Sequence, residues 1–264
     1  MKTKINKKSS DILSAEKISE TLEDKGIRVA VFDVLDSTNT EARRQAVGGC
    51  TAPALIIADS QSAGRGRMGR SFYSPSSVGL YMSVLLNVRE DMTETLRLTT
   101  LAAVAVTQTI EALCKIKAEI KWVNDIYLNG RKICGILCES FSVSAEERYA
   151  VVGIGLNLYT EDFPPQLKDI AASLMPERGM REAFAVEITE RLLELFDCKD
   201  DEKAIEYYRE RSIVIGENII FTENGVPCKA RACDVAAQGR LVVRLDDGKE
   251  RILSSGEISL KLDK

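Results

Sequence analysis

One short segment, residues 151–158, constrains the fold of this chain more than any other. In a strand, its apolar side chains share one face and its small or polar residues share the other. The second face carries Gly153, Gly155 and Asn157 and is almost bare. Glycine inside a strand weakens it, so it usually marks a close approach by a ligand or another backbone. The segment predicts a central strand whose bare face is either the floor for a flat ligand, with Asn157 as a polar handle, or the packing surface for a helix.

Histidine is absent from all 264 residues, and this limits the chemistry open to the chain. A Ser-His-Asp or Cys-His catalytic pair, a His-ligated zinc ion and an imidazole proton shuttle are all excluded. Adenylyl and phosphoryl transfer remain open, because they depend mostly on positioning and charge stabilisation. The seven cysteines are odd in number and form no C-x-x-C. They indicate free thiols in a reducing cytoplasm and not a disulfide framework or a zinc site.

The pattern of elements predicts two domains with a boundary near residue 212. Residues 1–28 are a basic tail and a short helix, and residues 29–212 mix buried strands with helices. Residues 213–264 contain only short strand-like runs between turn signals, which is typical of a small β-barrel. No apolar run approaches the roughly 18 residues of a membrane span, and no signal peptide is visible. We therefore expect a cytoplasmic protein without a membrane partner.

Residues 64–70 spell G-x-G-x-x-G followed by arginine. A dinucleotide-binding fold would need a helix after the glycines and an acid about twenty residues on, but a strand follows and residues 60–89 contain no acid. An RNA-binding arginine–glycine segment is weakly supported, because the tract is single. The four arginines of this stretch are Arg65, Arg67, Arg70 and Arg89.

This arginine loop has two remaining interpretations. Its glycines free the backbone to close around a ligand, and its guanidinium groups can bind carboxylate or phosphate with two hydrogen bonds. These properties favour a mobile loop that folds over an anionic group. The alternative is a solvated basic loop, which would not need three glycines within six residues.

An Asn-Gly turn at residues 129–130 predicts a hairpin. Regular pairing would place Tyr127 opposite Lys132 and Asp125 opposite Cys134, with all four side chains on one face. Asp125 and Lys132 would then be diagonal neighbours roughly 7–8 Å apart. A carboxylate able to hold Mg²⁺ would lie near a lysine able to hold carboxylate or phosphate, although an ordinary surface ion pair is equally compatible. The opposite, core-facing side would carry Ile126, Ile133 and Leu137.

These motifs, in this order, resemble those of the biotin–protein ligases. The matching motifs are Ser-Thr-Asn at residues 37–39, Gln-x-x-Gly-Arg-Gly-Arg-x-Gly-Arg at 61–70, Lys-Trp-x-Asn-Asp at 121–125, Arg-Lys-x-x-Gly-Ile-Leu at 131–137 and Gly-x-Gly-x-Asn at 153–157. The resemblance runs from about residue 33 to the C-terminus. It implies an α+β fold with a mixed sheet similar to that of class II aminoacyl-tRNA synthetases, followed by an SH3-like barrel. A helix should begin at the first motif, where Thr38 and Glu41 have capping-box spacing.

The resemblance also implies a reaction in two steps. Biotin attacks the α-phosphate of ATP with Mg²⁺ to give biotinyl-5′-AMP, and a lysine of a biotin carboxyl carrier protein then attacks this anhydride. The implied biotin-binding residues are Ser37, Thr38, Asn39, Gln61, Gly64, Arg65, Gly66, Arg67, Lys132, Gly153 and Gly155. The implied ATP-binding residues are Arg67, Arg70, Phe72, Lys121, Asn124, Asp125 and Asn157. Lys132, Arg67 and Asp125 would be catalytic, and Asp125 would also hold Mg²⁺.

Two departures from the family pattern stand out. Val123 replaces the usual proline, and Phe72 replaces the usual tryptophan, whose indole N–H is lost. We expect weaker ordering of the nucleotide but intact chemistry. The 28 residues before the first strand are too few for a helix-turn-helix domain with its own core, so we expect no operator binding.

Other functions remain open at this level. A lipoate–protein ligase would share the fold but would lack the arginine loop. A non-catalytic biotin-binding module would not need Lys132 and Asp125 beside that loop, and a standalone repressor would need the missing domain. We expect a monomer or a weak homodimer.

Overall fold

The computed structural model describes residues 11–88, 95–223, 225–254 and 258–260. Arg89 lies outside them. The helices are α1 (Ala15–Thr21), α2 (Thr38–Val47), α3 (Thr95–Cys114), α4 (Arg181–Asp197) and α5 (Glu202–Arg211). The larger sheet consists of β1 (Arg28–Leu35), β2 (Ala54–Gln61), β3 (Gly79–Asn87), β4 (Glu119–Lys121), β5 (Asp125–Leu128), β6 (Arg131–Ser142) and β7 (Arg148–Asn157). The smaller sheet consists of β8 (Asn218–Glu223), β9 (Val226–Val235), β10 (Leu241–Leu245), β11 (Glu250–Leu253) and β12 (Ile258–Leu260).

The larger sheet has the order β1-β2-β3-β7-β6-β5-β4. Only β1 and β2 run parallel, and the other neighbours are antiparallel. Strand β7 is the middle strand, and nine of its ten residues pair with β3 and nine with β6. The prediction of a central strand at this position is therefore confirmed, as is the α+β class.

The two faces of the larger sheet are covered differently. The long helix α3 packs on β6 and β7 and against α4, and its alanines and threonines let the backbones approach closely. The shorter α2 lies across β2, β3 and β7 on the other face. None of the helices in the described part of the chain is both long and apolar enough to cross a bilayer.

The smaller sheet begins at Asn218, soon after α5 ends at Arg211. It is antiparallel throughout, with the order β11-β10-β9-β8-β12. Its apolar residues join the core of the larger domain, and Trp122 donates from Nε1 to the carbonyl oxygen of Gly239 at 2.8 Å. The predicted short C-terminal strands are confirmed and form a small antiparallel sheet, while their closure into a barrel and the boundary at residue 212 stay predictions.

The predicted register of the β5–β6 hairpin is wrong at one end. Tyr127 faces Lys132 as expected, but the pairing shifts between residues 126 and 127. Ile133 is therefore an extra residue on β6, which is a β-bulge, and Asp125 faces Gly135. Cys134 consequently points into the core instead of sharing a face with Asp125.

Leu137 also lies elsewhere than predicted, because it lines a cavity and is only partly buried. The capping box is wrong as well. Helix α2 does begin at Thr38, but its N-cap residue is Ser37, whose side chain makes no capping hydrogen bond, and the Thr38 amide instead donates to Gln61 Oε1. The Thr38 hydroxyl is instead engaged by Gln61 and Ser83.

A buried ion pair joins α4 to β2. Arg181 is only 1% exposed, and it donates to the carbonyl oxygens of Gly79 and Asp11 and, at 2.7 Å, to Asp59. Burial works to raise the pKa of Asp59, but hydrogen bonds from Ser76 and Arg181 outweigh it and hold the pKa below its ordinary value. The ionised carboxylate is therefore the form that stabilises the fold.

Replacing Asp59 by asparagine should lower the free energy of unfolding by about 2 kcal/mol, because Arg181 loses its counter-charge inside the protein. A lowered folded-state pKa stabilises the protein above the unfolded value near 3.8. The difference between wild type and variant should therefore be full at neutral pH and shrink as the pH falls below that value. Urea unfolding at several pH values measures it. Asp33→Asn, at an exposed position of β1, is the control. An equal loss of unfolding free energy in this variant would show that the ion pair with Arg181 is not the cause.

Candidate active site

Two adjoining cavities open on the bare face of the larger sheet. The inner cavity is narrow, with a volume of about 50 Å³, and the outer cavity is wider, at about 400 Å³. Gly66, Arg67, Phe72, Asn124 and Lys132 line both. These residues come from the arginine loop and the β5–β6 hairpin, so the two predicted motifs meet where the cavities join.

The two sets of predicted site residues fall mainly in different cavities, and the residues at the junction line both. All the predicted biotin-binding residues except Gly64 line the inner cavity, namely Ser37, Thr38, Asn39, Gln61, Arg65, Gly66, Arg67, Lys132, Gly153 and Gly155. All the predicted ATP-binding residues line the outer cavity, namely Arg67, Arg70, Phe72, Lys121, Asn124, Asp125 and Asn157. The structure thus brings both groups together, while their roles toward ligands stay predictions.

The floor of the inner cavity is the glycine face of β7. A Cβ atom on Gly153 would overlap the side-chain oxygen of Asn39, and one on Gly155 would lie 2.5 Å from the ring of Phe72. The start of α2 and the arginine loop therefore reach the strand at these two points. Both sequence interpretations of this face are partly realised, because a helix end and an open cavity share it.

A polar network closes the far end of the inner cavity. The fully buried Ser83 hydroxyl lies 2.7 Å from Asn39 Oδ1 and 2.8 Å from Thr38 Oγ1. Gln61 accepts from the Thr38 amide at 2.9 Å and donates to Ser74 at 2.9 Å. Since Ser83 has a single proton, it can donate to only one of its two neighbours at a time. The network fixes α2, β2 and β3 relative to one another.

The arginine loop folds back on itself in a tight ribbon. The Gly66 amide donates to the Arg70 carbonyl oxygen at 2.7 Å, and the Phe72 amide donates to that of Gly64 at 2.8 Å. Gly64 faces the Phe72 backbone and Ser74, which leaves no room for a Cβ atom and explains why it does not line the cavity. At the tip, Met68 has a positive φ of 55° and is 78% exposed.

Each basic group at the junction has a partner within the protein. Arg65 forms a two-pronged ion pair with Glu139, with distances of 2.8 and 3.1 Å. Arg67 donates to the Asn124 side-chain oxygen at 3.1 Å. Lys132 Nζ lies 2.6 Å from Asp125 Oδ1, so the two residues that the sequence predicted to be neighbours form an ion pair.

Asp125 is the carboxylate best placed to hold a metal ion. Its buried Oδ1 atom contacts Lys132 without hydrogen-bond geometry, and no other residue in the described part of the chain satisfies it. No group of three acidic, cysteine or histidine residues within the described ranges could enclose a metal by itself. One carboxylate fits Mg²⁺, which usually binds one or two carboxylates and completes its shell with water and substrate phosphates.

Sequence reasoning missed the apolar wall of the outer cavity. This wall contains Tyr73, Phe163, Leu167 and Ile170, and Ile258 reaches it from β12 of the smaller sheet. The loop that carries three of these residues is held by backbone hydrogen bonds from Lys132 to Ile170 and from Ala172 to Lys132, both 2.9 Å long. Loop residues without periodicity give no sequence signal, so only the tertiary structure identifies them.

Glu139 and Ser83 were also missed, although each touches a predicted residue. The cysteines near the site offer no reactive thiolate. Burial raises the pKa of Cys138 to about 12 and raises the pKa of Cys134 as well, so both thiols stay protonated. All seven cysteines of the chain are free.

Family comparisons agree with this geometry. The Biotin/lipoate A/B protein ligase family matches residues 31–157, and the Biotin protein ligase C terminal domain matches residues 214–261. The first match begins within β1 and extends to the end of β7, and the second contains the smaller sheet. The chain therefore contains one segment that matches the biotin/lipoate A/B protein ligase family and a second segment that matches the C-terminal domain of biotin protein ligases.

Individual relatives point to one branch of that family. The Bifunctional ligase/repressor BirA of Bacillus spizizenii is 44% identical over 149 residues, which are 56% of this chain and 46% of the relative. The chain thus spans about half the length of this relative. The Biotin--[acetyl-CoA-carboxylase] ligase of Mycobacterium tuberculosis is 27% identical, over 84% of this chain and 85% of its own. The biotin protein ligase from Aquifex aeolicus, solved in complex with biotin and ATP, superposes with a TM-score of 0.74 and 25% identity over 89% of this chain and 98% of its own.

Gly153→Ala should lower the free energy of unfolding by about 2 kcal/mol, because the new methyl group overlaps the Asn39 amide. In an Asn39→Ala background this space is free, so the same change should cost less than half as much. Urea unfolding of the four proteins gives both values. Gly48→Ala at the end of α2, where the nearest atom is 3.3 Å from the added carbon, is the control. If Gly153→Ala lowered the free energy of unfolding equally in the two backgrounds, Asn39 would not be the residue that fills this space.

Proposed function

We propose that this chain is a biotin–protein ligase. It would activate biotin with ATP to form biotinyl-5′-AMP and then transfer biotin to a lysine of a biotin carboxyl carrier protein. The observation that carries the proposal is the junction of the two cavities, where Arg67 and Lys132 line both. A ligand carboxylate in the inner cavity and an α-phosphate in the outer cavity would meet there, beside two cationic groups.

The inner cavity suits the head of biotin. Its polar end presents the hydroxyl, amide and carboxamide groups of Ser37, Thr38, Asn39 and Gln61, which can match the donors and acceptors of a ureido ring. Its floor is flat because β7 carries glycines there, and Ile154 adds an apolar surface. The cavity is narrower than this ligand, so the arginine loop must shift outward when the ligand enters.

The outer cavity suits ATP. Its apolar wall can pack against a nucleotide base, and its lining also includes Arg70 and Lys121, which can bind phosphates. Asp125 would hold Mg²⁺ together with the phosphates, and the bound ion would neutralise charge on the departing pyrophosphate. Asn124 and Asn157 offer amide groups at the same place, and Asn157 is oriented by donating to the Ala172 carbonyl oxygen at 3.2 Å.

The chemistry of the first step follows from these positions. The biotin carboxylate is already an anion at neutral pH, so its attack on phosphorus needs no general base. Lys132 would leave its ion pair with Asp125 and hold the carboxylate and the α-phosphate oxygen as negative charge develops. Arg67 would close the junction and keep water away from the anhydride.

The partners beyond biotin and ATP follow from the same proposal. The acceptor would be a biotin carboxyl carrier protein, and neither a nucleic acid nor a membrane takes part in the reaction. A cytoplasmic location and a monomer or weak homodimer stay predictions. A lipoate-type acyl transfer is the second candidate, and the arginine loop and polar network favour biotin over it.

Incubation with an apo carrier domain, ATP, Mg²⁺ and either biotin or lipoate tests the proposal. Intact-mass spectrometry should record the mass of one biotinyl group on the carrier with biotin and no gain with lipoate. The polar end of the inner cavity would leave its groups unpaired against an apolar dithiolane, which is costly. A carrier that stays unmodified with biotin, or gains lipoyl mass, would refute the assignment. Omission of ATP is the control.

Arg67→Ala should raise the amount of free biotinyl-5′-AMP in solution about tenfold, because one charged wall of the junction is lost. Chromatography of the adenylate during turnover, without carrier, measures it. Met68→Ala is the matched control, since Met68 lies in the same loop but lines neither cavity. Equal leakage from both variants, or from neither, would argue against loop closure.

A further inference from the structure

Glu139 on β6 is the only acidic residue among the described residues that contacts both Arg65 and Asn39. Its Oε2 atom accepts from Asn39 Nδ2 at 2.9 Å and from Arg65 Nη1 at 3.1 Å, and its Oε1 atom accepts from Arg65 Nη2 at 2.8 Å. One carboxylate thus ties the first turn of α2 and the arginine loop to the central sheet.

The charge on Glu139 determines which way the Asn39 amide points. An ionised carboxylate only accepts hydrogen bonds, so it must face the NH₂ group of Asn39. The other proton of that group is donated to the Leu137 carbonyl oxygen at 3.1 Å, which uses the full donor capacity of the amide. The Asn39 oxygen therefore faces Ser83 and the bare position above Gly153.

This orientation makes Asn39 a hydrogen-bond acceptor at the polar end of the inner cavity. Asn39 Oδ1 accepts from Ser83 and keeps a second lone pair, while the Asn39 donors are consumed. Asn39 can therefore only accept a hydrogen bond from a ligand there. A ligand must supply an N–H or O–H group at this point, as the ring of a urea does.

The Arg65–Glu139 ion pair is too exposed to contribute much to the stability of the fold. The two side chains are 48% and 32% exposed, and ion pairs in such positions contribute little to folding free energy. The pair instead consumes both terminal nitrogens of Arg65, which holds the first half of the arginine loop against β6. The tip at Met68 lies beyond this anchor and is exposed.

We propose that Glu139 is a positioning residue for biotin recognition, acting through Asn39 and Arg65 without touching ATP; this inference rests on the proposed ligase function. It sets the acceptor side of the Asn39 amide toward the ligand and fixes the base of the arginine loop. Its two partners, Asn39 and Arg65, line the inner cavity and not the outer one, so the influence of Glu139 is expected at the inner cavity.

Glu139→Gln provides the test, because it keeps the shape of the side chain and removes its charge. The new NH₂ group would face a donor of either Asn39 or Arg65, so one of the two must turn away. The Kd for biotin, measured by titration calorimetry without ATP, should rise about tenfold. The KM for ATP should stay within about twofold and the melting temperature within a few degrees, since a half-exposed pair stabilises the fold little.

Two further variants make the result specific. Glu146→Gln, in the exposed β6–β7 turn, removes the same charge and should leave the biotin Kd unchanged. Arg65→Gln tests the pair from the loop side, and the double variant Arg65→Gln/Glu139→Gln should bind biotin no worse than the weaker single variant. This non-additivity would distinguish positioning from an unrelated loss of charge.

Several results would overturn the inference. They are an unchanged biotin Kd in folded Glu139→Gln, a parallel rise in the ATP KM, or additive losses in the double variant. If Glu139→Gln does not fold, an unchanged biotin Kd in Arg65→Gln would have the same force. If wild type binds biotin but forms no biotinyl-5′-AMP, the ligase proposal fails while the comparison of Kd values still decides the role of Glu139.

Discussion

The site depends on two glycines of β7, Gly153 and Gly155, which have no side chains. At Gly153 the vacant Cβ position is filled by the Asn39 amide, and at Gly155 by the Phe72 ring. Because β7 is hydrogen-bonded to β3 and β6 on both sides, the floor itself cannot shift to make room. The start of α2 and the arginine loop must therefore fit the strand, and any larger residue would displace one of them. Rigid strands thus position residues that lie on a helix end and a loop.

The charges around this floor are arranged in compensated pairs before any ligand arrives. Arg65 faces Glu139, and Lys132 faces Asp125. A paired cation is held in one place without the cost of an isolated buried charge. In the proposed reaction, an incoming anion would take the place of the carboxylate, and Lys132 would turn from Asp125 toward it. Charged groups already placed around the reacting atoms are the main way in which a protein stabilises charge that develops during a reaction.

Much of the fold and of the candidate site could be predicted from the sequence, because it rests on local pattern. The alternation in β7 and the Asn-Gly turn identified the floor and the hairpin. The errors arose where tertiary contacts override local rules. The bulge at Ile133 makes the Cys134 side chain point into the core. The Thr38 hydroxyl, which the local spacing assigned to a helix cap, instead contacts Ser83 and Gln61. No local sequence pattern identifies the apolar wall or Glu139, since their place in the site depends on contacts with residues distant in the chain.

Because the chain has no histidine, the two steps of the proposed reaction differ in how well its residues can serve them. Activation needs no group that titrates near neutral pH, because the attacking carboxylate is ionised and the leaving group is held by charge. Transfer does need a proton to leave the acceptor amine, and Asp125, which pairs with Lys132, is the only carboxylate among the described residues that line either cavity. In the proposed reaction, Asp125 would lose this partner when Lys132 turns to the ligand, and it would accept that proton only after the Mg²⁺ ion it is proposed to hold has left. Desolvation of the amine on docking lowers its pKa and acts in the same direction. In the proposed reaction, the ion pair between Asp125 and Lys132 would thus link activation to transfer, because the movement of Lys132 in the first step would also prepare the second.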